Sequence, residues 1–252
     1  MNASWLVRTR PVPGARLRLL CVPYAGGGAS AFAGWADALP ADVEVCAVRL
    51  PGRESRLLQK PFQDVDAAVA ALAEVTEDYC AEPFALFGHS MGALVAFEFT
   101  RLLRAAGRRG PEHLFASGRQ APQLPVTRPL IHDLPDAEFA DALRDFGGTP
   151  EEVLADPRTM SLLAPGLRAD FRVNDTYRHR PQPPLDCPVT AFSGRTDPHV
   201  APANVEAWGA QTTGRFTHHR LDGGHLFLHS EREALLGHLG AALRAGREVV
   251  LP

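Results

Sequence analysis

Lysine is all but missing from this chain: Lys60 is the only one, and arginine supplies the rest of its 26 basic residues. Nor is there a basic excess. The formal net charge is −3, whereas a nucleic-acid binder ordinarily carries surplus cations to neutralise phosphates, so nucleic acid is not an expected partner. The arginine bias, with abundant alanine, glycine and proline, reads as the composition of a GC-rich genome and says nothing about function. No uninterrupted apolar run approaches the ~18 residues needed to span a bilayer. The first 18 residues, MNASWLVRTRPVPGARLR, lack the charged start and apolar stretch of a signal peptide. A soluble, cytoplasmic protein without membrane partners is the expectation. Cysteines are four, Cys21, Cys46, Cys80 and Cys187, far apart in sequence; buried free thiols, as in a reducing compartment, are expected. Neither CxxC nor HExxH spacing occurs, so the ten histidines are not expected to hold a metal.

What is present is the ordinary make-up of a globular enzyme-sized domain: 252 residues, 45% hydrophobic and 22% charged. Short apolar runs recur at Leu17–Tyr24, Val43–Leu50, Phe84–Gly88, His113–Ser117, Val189–Ser193 and Phe216–Leu221. Several are apolar throughout, as strands buried on both faces must be. Helical patterns separate them: Val65–Tyr79, Met91–Ala106 stopped by Gly107, Val205–Gln211 and Ala234–Ala245. Strand–helix alternation predicts one α/β domain over residues 1–252, a mostly parallel sheet flanked by helices.

Residues 122–184 break the rhythm. Asp136–Phe146 reads as a short amphipathic helix, Thr149-Pro150-Glu151-Glu152 as a capping box, and Asp156-Pro157 as another helix start, which Pro165-Gly166 should interrupt. This segment is expected to be a helical insertion between two strands. It is either a lid or a simple cover for the core, and its flanks favour the lid.

The sharpest chemical signal is Gly88-His89-Ser90-Met91-Gly92, a G-x-S-x-G pattern with an apolar strand before it and a helix after it. A serine on so tight a strand-to-helix turn projects its hydroxyl above the sheet, and only glycine fits the close approach on either side. The helix N-terminus beneath it favours developing negative charge. This marks an α/β-hydrolase fold with Ser90 as nucleophile. A hydroxyl needs a base, and chain order asks for an acid and then a histidine downstream. His225, in Asp222-Gly223-Gly224-His225, fits the base; His199 is its rival but lies too close to the acid. Asp197, on the turn after a strand, fits the acid, with Asp222 as fallback; the bland alternative is a turn aspartate bonding its own backbone. His89 is read as the variable residue of the turn. The backbone N–H of Met91, next to the nucleophile, is one expected oxyanion donor. Ala25, in the loop Pro23-Tyr24-Ala25-Gly26-Gly27-Gly28, is the second; that loop could equally be a glycine-rich turn and no more. No cofactor is needed.

With these residues in hand, the chain resembles the type II thioesterases that accompany polyketide synthases and nonribosomal peptide synthetases. The resemblance covers almost the full length and rests on Pro23-Tyr24-Ala25-Gly26-Gly27, Leu50-Pro51-Gly52-Arg53-Glu54, the nucleophile turn, Gly194–Asp197 and Gly223-Gly224-His225 with Phe227. Tyr24 stands where such proteins often have histidine, and Leu226 intrudes where phenylalanine often follows directly. The resemblance implies hydrolysis of acyl groups from the phosphopantetheine thiol of an acyl or peptidyl carrier protein, clearing stalled or misloaded chains; a monomer is expected, although the sequence does not fix the oligomeric state. Apolar insertion residues Phe139, Leu143, Phe146, Leu162 and Leu163 would shape the acyl pocket, or else pack the helices. Arg104, Arg108 and Arg109 could meet an acidic carrier, although a solvated helix end explains them as well. Two other readings are a carboxylesterase, lipase-like or chain-terminating enzyme on the same scaffold, and a non-catalytic binding protein. The complete Ser–Asp–His order argues against the latter.

Overall fold

The computed structural model describes residues 5–245. Seven strands form one sheet: β1 (Leu6–Val7), β2 (Leu17–Val22), β3 (Val43–Val48), β4 (Phe84–His89), β5 (Leu114–Ser117), β6 (Val189–Gly194) and β7 (Phe216–Leu221). Their order is β1-β3-β2-β4-β5-β6-β7, and every pairing is parallel except β1 with β3. The helices are α1 (Trp35–Ala38), α2 (Val65–Val75), α3 (Met91–Ala105), α4 (Asp136–Phe146), α5 (Glu151–Leu154), α6 (Pro157–Thr176), α7 (Pro202–Glu206), α8 (Phe227–Ser230) and α9 (Arg232–Ala245).

Alternation along the strands sorts the core into two layers. Leu20 and Val22 face α2 and α3, while Leu19 and Cys21 face α1 and α9. Strands β3, β4, β5 and β6 are buried along their whole length, which is why their sequences lack polar alternation. The four cysteines are free and buried. Burial pushes the thiols of Cys46 and Cys187 up to about 12 and that of Cys80 to about 11, so they pack as small apolar groups. Among the described residues, no helix is long and apolar enough to cross a membrane, and no three His, Cys, Asp or Glu side chains cluster to hold a metal.

Helices α4, α5 and α6 lie between β5 and β6 and share a small apolar cluster of their own: Ile131, Phe139, Leu143, Leu154, Leu167 and Phe171. One expectation fails here. Helix α6 runs unbroken through Pro165. Proline removes the donor to the carbonyl four residues earlier. Ser161 and Pro165 are both exposed, so the freed carbonyl faces water and the ring bulges outward at little cost. Gly166 faces inward, where a Cβ would fall 2.9 Å from the Gly52 carbonyl oxygen. The other boundaries differ by less. Helix α2 ends at Val75, four residues early, and the Thr76 hydroxyl bonds back to the Leu72 carbonyl at 2.7 Å. The expected helix at Val205–Gln211 is divided between α7 and a 3₁₀ turn at Ala207–Gln211.

Candidate active site

The turn at Ser90 is built by two close approaches. A Cβ on Gly88 would sit 2.1 Å from the Gly92 carbonyl oxygen, and one on Gly92 would sit 2.1 Å from that of Val22. Ser90 itself has φ +53°, one of two positive values at non-glycine residues among those described. Such a conformation costs ~1–3 kcal/mol and persists only where surroundings impose it. Here the Ser90 N–H is held by the Ser117 carbonyl at 2.7 Å, and α3 starts at the next residue.

The loops after β6 and β7 bring the other two groups to it. His225 Nε2 lies 3.0 Å from Ser90 Oγ, and His225 Nδ1 lies 2.8 Å from Asp197 Oδ2. The Asp197 side chain is fully buried. Its other oxygen accepts the N–H groups of His199 and Val200 at 2.8 and 3.2 Å. The turn-forming and the imidazole-holding readings of Asp197 are therefore both true, one per oxygen. A carboxylate on Nδ1 fixes the proton there and leaves Nε2 as the acceptor facing the hydroxyl. His199 does not reach Ser90; its ring stacks on Phe146 at 4.0 Å and its Nε2 meets the Asp145 carbonyl. Asp222 is exposed and pairs with Arg195 at 3.0 Å.

His89 is more than a variable position. It is wholly buried, with Nδ1 2.9 Å from Ser117 Oγ and Nε2 2.9 Å from the His225 carbonyl oxygen. A carbonyl only accepts, so Nε2 carries the proton and Nδ1 accepts from the hydroxyl. Burial, reinforced by the nearby His225 imidazole, holds its pKa well below the ordinary histidine value. A neutral ring thus ties the nucleophile turn to the histidine loop. Its signal in the sequence is slight: a histidine closing an otherwise apolar strand.

Among the described residues, the N–H groups of Ala25 and Met91 enter no backbone hydrogen bond outside the helices and strands, and that of Met91 opens α3, where no intrahelical acceptor exists. The loop carrying Ala25 is anchored just beyond it. Asp170 Oδ2 on α6 accepts the Gly26 N–H at 2.7 Å, Arg53 donates to the Gly27 carbonyl at 2.9 Å, and Glu54 Oε1 accepts the Ser30 N–H at 3.0 Å. Burial raises the Glu54 pKa, but the Ser30 and Arg49 hydrogen bonds outweigh it and bring the carboxyl below its usual value.

Two cavities flank this loop and the serine. One, about 80 Å³, is lined by Ser90 and His225 together with Arg119, Phe146, Phe171, Asn174 and Val200. The other, about 300 Å³, lies between Gly26, Gly28, Arg53, Val153, Leu163 and Leu167. Of the five insertion residues expected to shape a pocket, Phe146 and Leu163 line a cavity. Phe139 and Leu143 do not. They lie one turn apart on α4 and point into the insertion's own apolar cluster. Leu162 is 51% exposed, because one residue step along α6 turns it about 100° from Leu163. Arg104 donates to the Pro183 and Pro184 carbonyls and Arg108 to the Ala73 carbonyl, tying loops to helices, and Arg109 pairs with Glu112 within one exposed loop.

The thioesterase domain model matches residues 17–243. The gramicidin S biosynthesis protein GrsT of Aneurinibacillus migulanus is 43% identical over 241 residues, 96% of this chain and 94% of that protein. Among solved structures, the RedJ thioesterase of the prodiginine pathway in Streptomyces coelicolor superposes with a TM-score of 0.86 at 44% identity, covering 91% of each chain. The type II thioesterase BorB of the borrelidin cluster does so with a TM-score of 0.86 at 39% identity, covering 94% of this chain and 97% of that one. The chain belongs to the thioesterase family as a type II thioesterase, a serine hydrolase that acts on acyl thioesters in polyketide or nonribosomal peptide assembly.

Proposed function

We propose that Ser90, His225 and Asp197 are the catalytic triad, and that the substrate is an acyl group held on the phosphopantetheine thiol of an acyl or peptidyl carrier protein. The observation that carries this is the unbroken path Asp197 Oδ2–His225–Ser90 Oγ, at 2.8 and 3.0 Å, opening on a cavity. His225 Nε2 takes the Ser90 proton as Oγ attacks the thioester carbonyl carbon. The carbonyl oxygen becomes an oxyanion received by the Ala25 and Met91 N–H groups; such donors are each worth ~3–4 kcal/mol to the transition state. Collapse breaks the carbon–sulfur bond, and the pantetheine thiol leaves with the proton from His225. Water then gives its proton to His225 and attacks the acyl-enzyme, releasing the acid and restoring Ser90.

Phe146 and Phe171 roof the cavity at the serine, and the helices over residues 122–184 act as a lid through which the arm enters. The enzyme acts as a cytoplasmic monomer, in keeping with its reduced, buried thiols. Intact-mass measurement of an acylated carrier protein, incubated with wild type and with Ser90→Ala, tests this. Loss of the acyl mass with wild type alone is the expected result. An acyl group that survives wild type while a simple oxygen ester is cleaved would sink the carrier reading.

A further inference from the structure

The mechanism above leaves Leu50–Glu54 without a task, although it is among the most specific motifs in the chain. The structure shows what its charged residues touch. Arg53 and Asp170 form an ion pair at 2.7 Å, with side chains only 7% and 5% exposed. A buried pair of this kind contributes little to stability by comparison with apolar packing, so its retention calls for another reason. Both partners, and Glu54 beside them, also bond one short stretch of backbone, at Gly26 N–H, Gly27 carbonyl and Ser30 N–H, while Arg53 makes longer contacts of 3.4 Å to the Pro51 carbonyl. Glu54 is itself held by Arg49 at 2.7 Å. The stretch is glycine-rich because the clamp presses on it. A Cβ on Gly28 would fall 2.3 Å from Glu54 Oε1, and one on Gly26, which has φ +76°, would fall 2.5 Å from Leu167.

We infer that Asp170 is a positioning residue for the oxyanion hole, acting with Arg53 and Glu54 to hold residues 26–30 so that the Ala25 N–H stays aimed at the reacting carbonyl. This rests on Ala25 being an oxyanion donor. The Ala25 N–H shares its peptide plane with the Tyr24 carbonyl, and that carbonyl accepts the Gly27 N–H at 2.9 Å; by gripping the Gly26 N–H and the Gly27 carbonyl, Asp170 and Arg53 fix the turn that sets this plane. Asp170 lies on α6, which also presents Phe171 and Asn174 to the cavity at Ser90. Helix α6 and the oxyanion loop therefore form one rigid unit, and any opening of the insertion falls to α4 and α5.

The test uses the full chain with a neutral butyryl N-acetylcysteamine thioester, and the trifluoromethyl ketone of the same acyl length as a probe. Ser90 adds to that ketone and places its oxyanion in the hole. Asp170→Asn is expected to lower kcat about 10²-fold, the order seen on losing an oxyanion donor, with KM little changed and ketone inhibition weakened by a similar factor. The pair Asp170→Leu with Arg53→Met removes both buried charges. It is expected to recover the melting temperature and leave kcat low. Recovery of rate together with melting temperature would mean a structural role and overturn the inference, as would an Asp170→Asn enzyme with near-normal kcat. Should the wild type cleave only oxygen esters, the carrier reading fails, and the same variants decide the role of Asp170 on the ester.

Discussion

The sheet and the helical insertion are held together by different forces. Around β4, β5 and β6 nearly every side chain is apolar and sealed: Phe84, Phe87, Leu114, Phe115, Val189 and Phe192 are all wholly buried. The insertion has an apolar cluster of six buried residues, joins the main core through Val173, and is otherwise fastened by directional polar contacts. Asp175 accepts from Arg128 at 2.5 Å, from His132 Nδ1 at 2.8 Å and from the Ile131 and His132 N–H groups. Asn174 accepts from Arg119, Arg168 bonds Asp136 at 2.8 Å, and Asp170 holds Arg53. Apolar packing is insensitive to small rotations, whereas hydrogen bonds and ion pairs specify one arrangement and can be exchanged for water. The residues proposed to react thus sit on the sealed part, with α6 tied to it through Asp170, while α4 and α5, which carry Phe146 and Val153 to the cavities, sit on the part that can shift.

The most severe way to break that contrast is at the nucleophile turn. Gly88→Ala places a methyl 2.1 Å from a backbone oxygen that cannot move without dismantling β4 and α3. No folded protein is expected, read by circular dichroism and by size-exclusion elution. Next is Asp197→Asn. It preserves the oxygen that caps His199 and Val200 but offers Nδ1 of His225 the wrong partner. Turnover should fall on the order of 10⁴-fold with unchanged dichroism. A loss under tenfold would return Asp197 to a turn-forming role.

Phe139→Ala asks whether the insertion is separable. Removing a buried Phe costs ~3–5 kcal/mol, a loss that should fall on the insertion cluster alone. Hydrogen exchange should quicken over α4 and α5 while β4 and β6 amides keep their protection. Equal loss of protection in the sheet would mean the two regions unfold together and the contrast is one of composition only.

The same division governed what could be read from the sequence. The apolar strands announced themselves, and so did Ser90, Asp197 and His225, because a strand end followed by a tight turn leaves local marks: glycines at 88, 92, 223 and 224 and the chain order of the three groups. The insertion left fewer. Periodicity shows that α4 is amphipathic, yet it cannot say what the apolar face meets, so it leaves pocket and helix packing equally open for Phe139 and Leu143, and the structure packs them against α6. Pro165 suggested a break because the sequence does not show that its turn faces water. The strand β1 is two residues long, too short for any pattern. Asp170 lies 117 residues beyond Arg53, and a single sequence records no pairing between distant charges. One mark was present: an aspartate among Leu167, Ala169 and Phe171 on the inward face of α6, where a charge without a partner would be costly.

The smallest effect concerns acid, and it places the weakness in the sheet. His113 immediately precedes β5, stacked on Phe115 at 4.2 Å with Nε2 2.8 Å from Thr190 Oγ1. Burial, with a lesser contribution from Arg215, lowers its pKa to about 4. The unfolded chain binds this proton near the ordinary histidine value of ~6.5. Above that value neither state is protonated and His113 has no pH-dependent effect. As pH falls from about 6.5 towards 4, only the unfolded state gains the proton, so stability drops by roughly 3 kcal/mol in all. His89, shifted in the same direction, adds to this slope. His113→Phe keeps the stacking and removes the titration, at the expense of one hydrogen bond to Thr190. Denaturant unfolding at pH 7 and pH 4.5 should show the variant losing less stability between the two than wild type, with turnover at pH 7 unchanged because His113 precedes β5, at the end opposite Ser117, whose carbonyl holds Ser90. Parallel slopes would mean that the acid sensitivity belongs to the polar fastenings of the insertion and that the sheet is the indifferent partner.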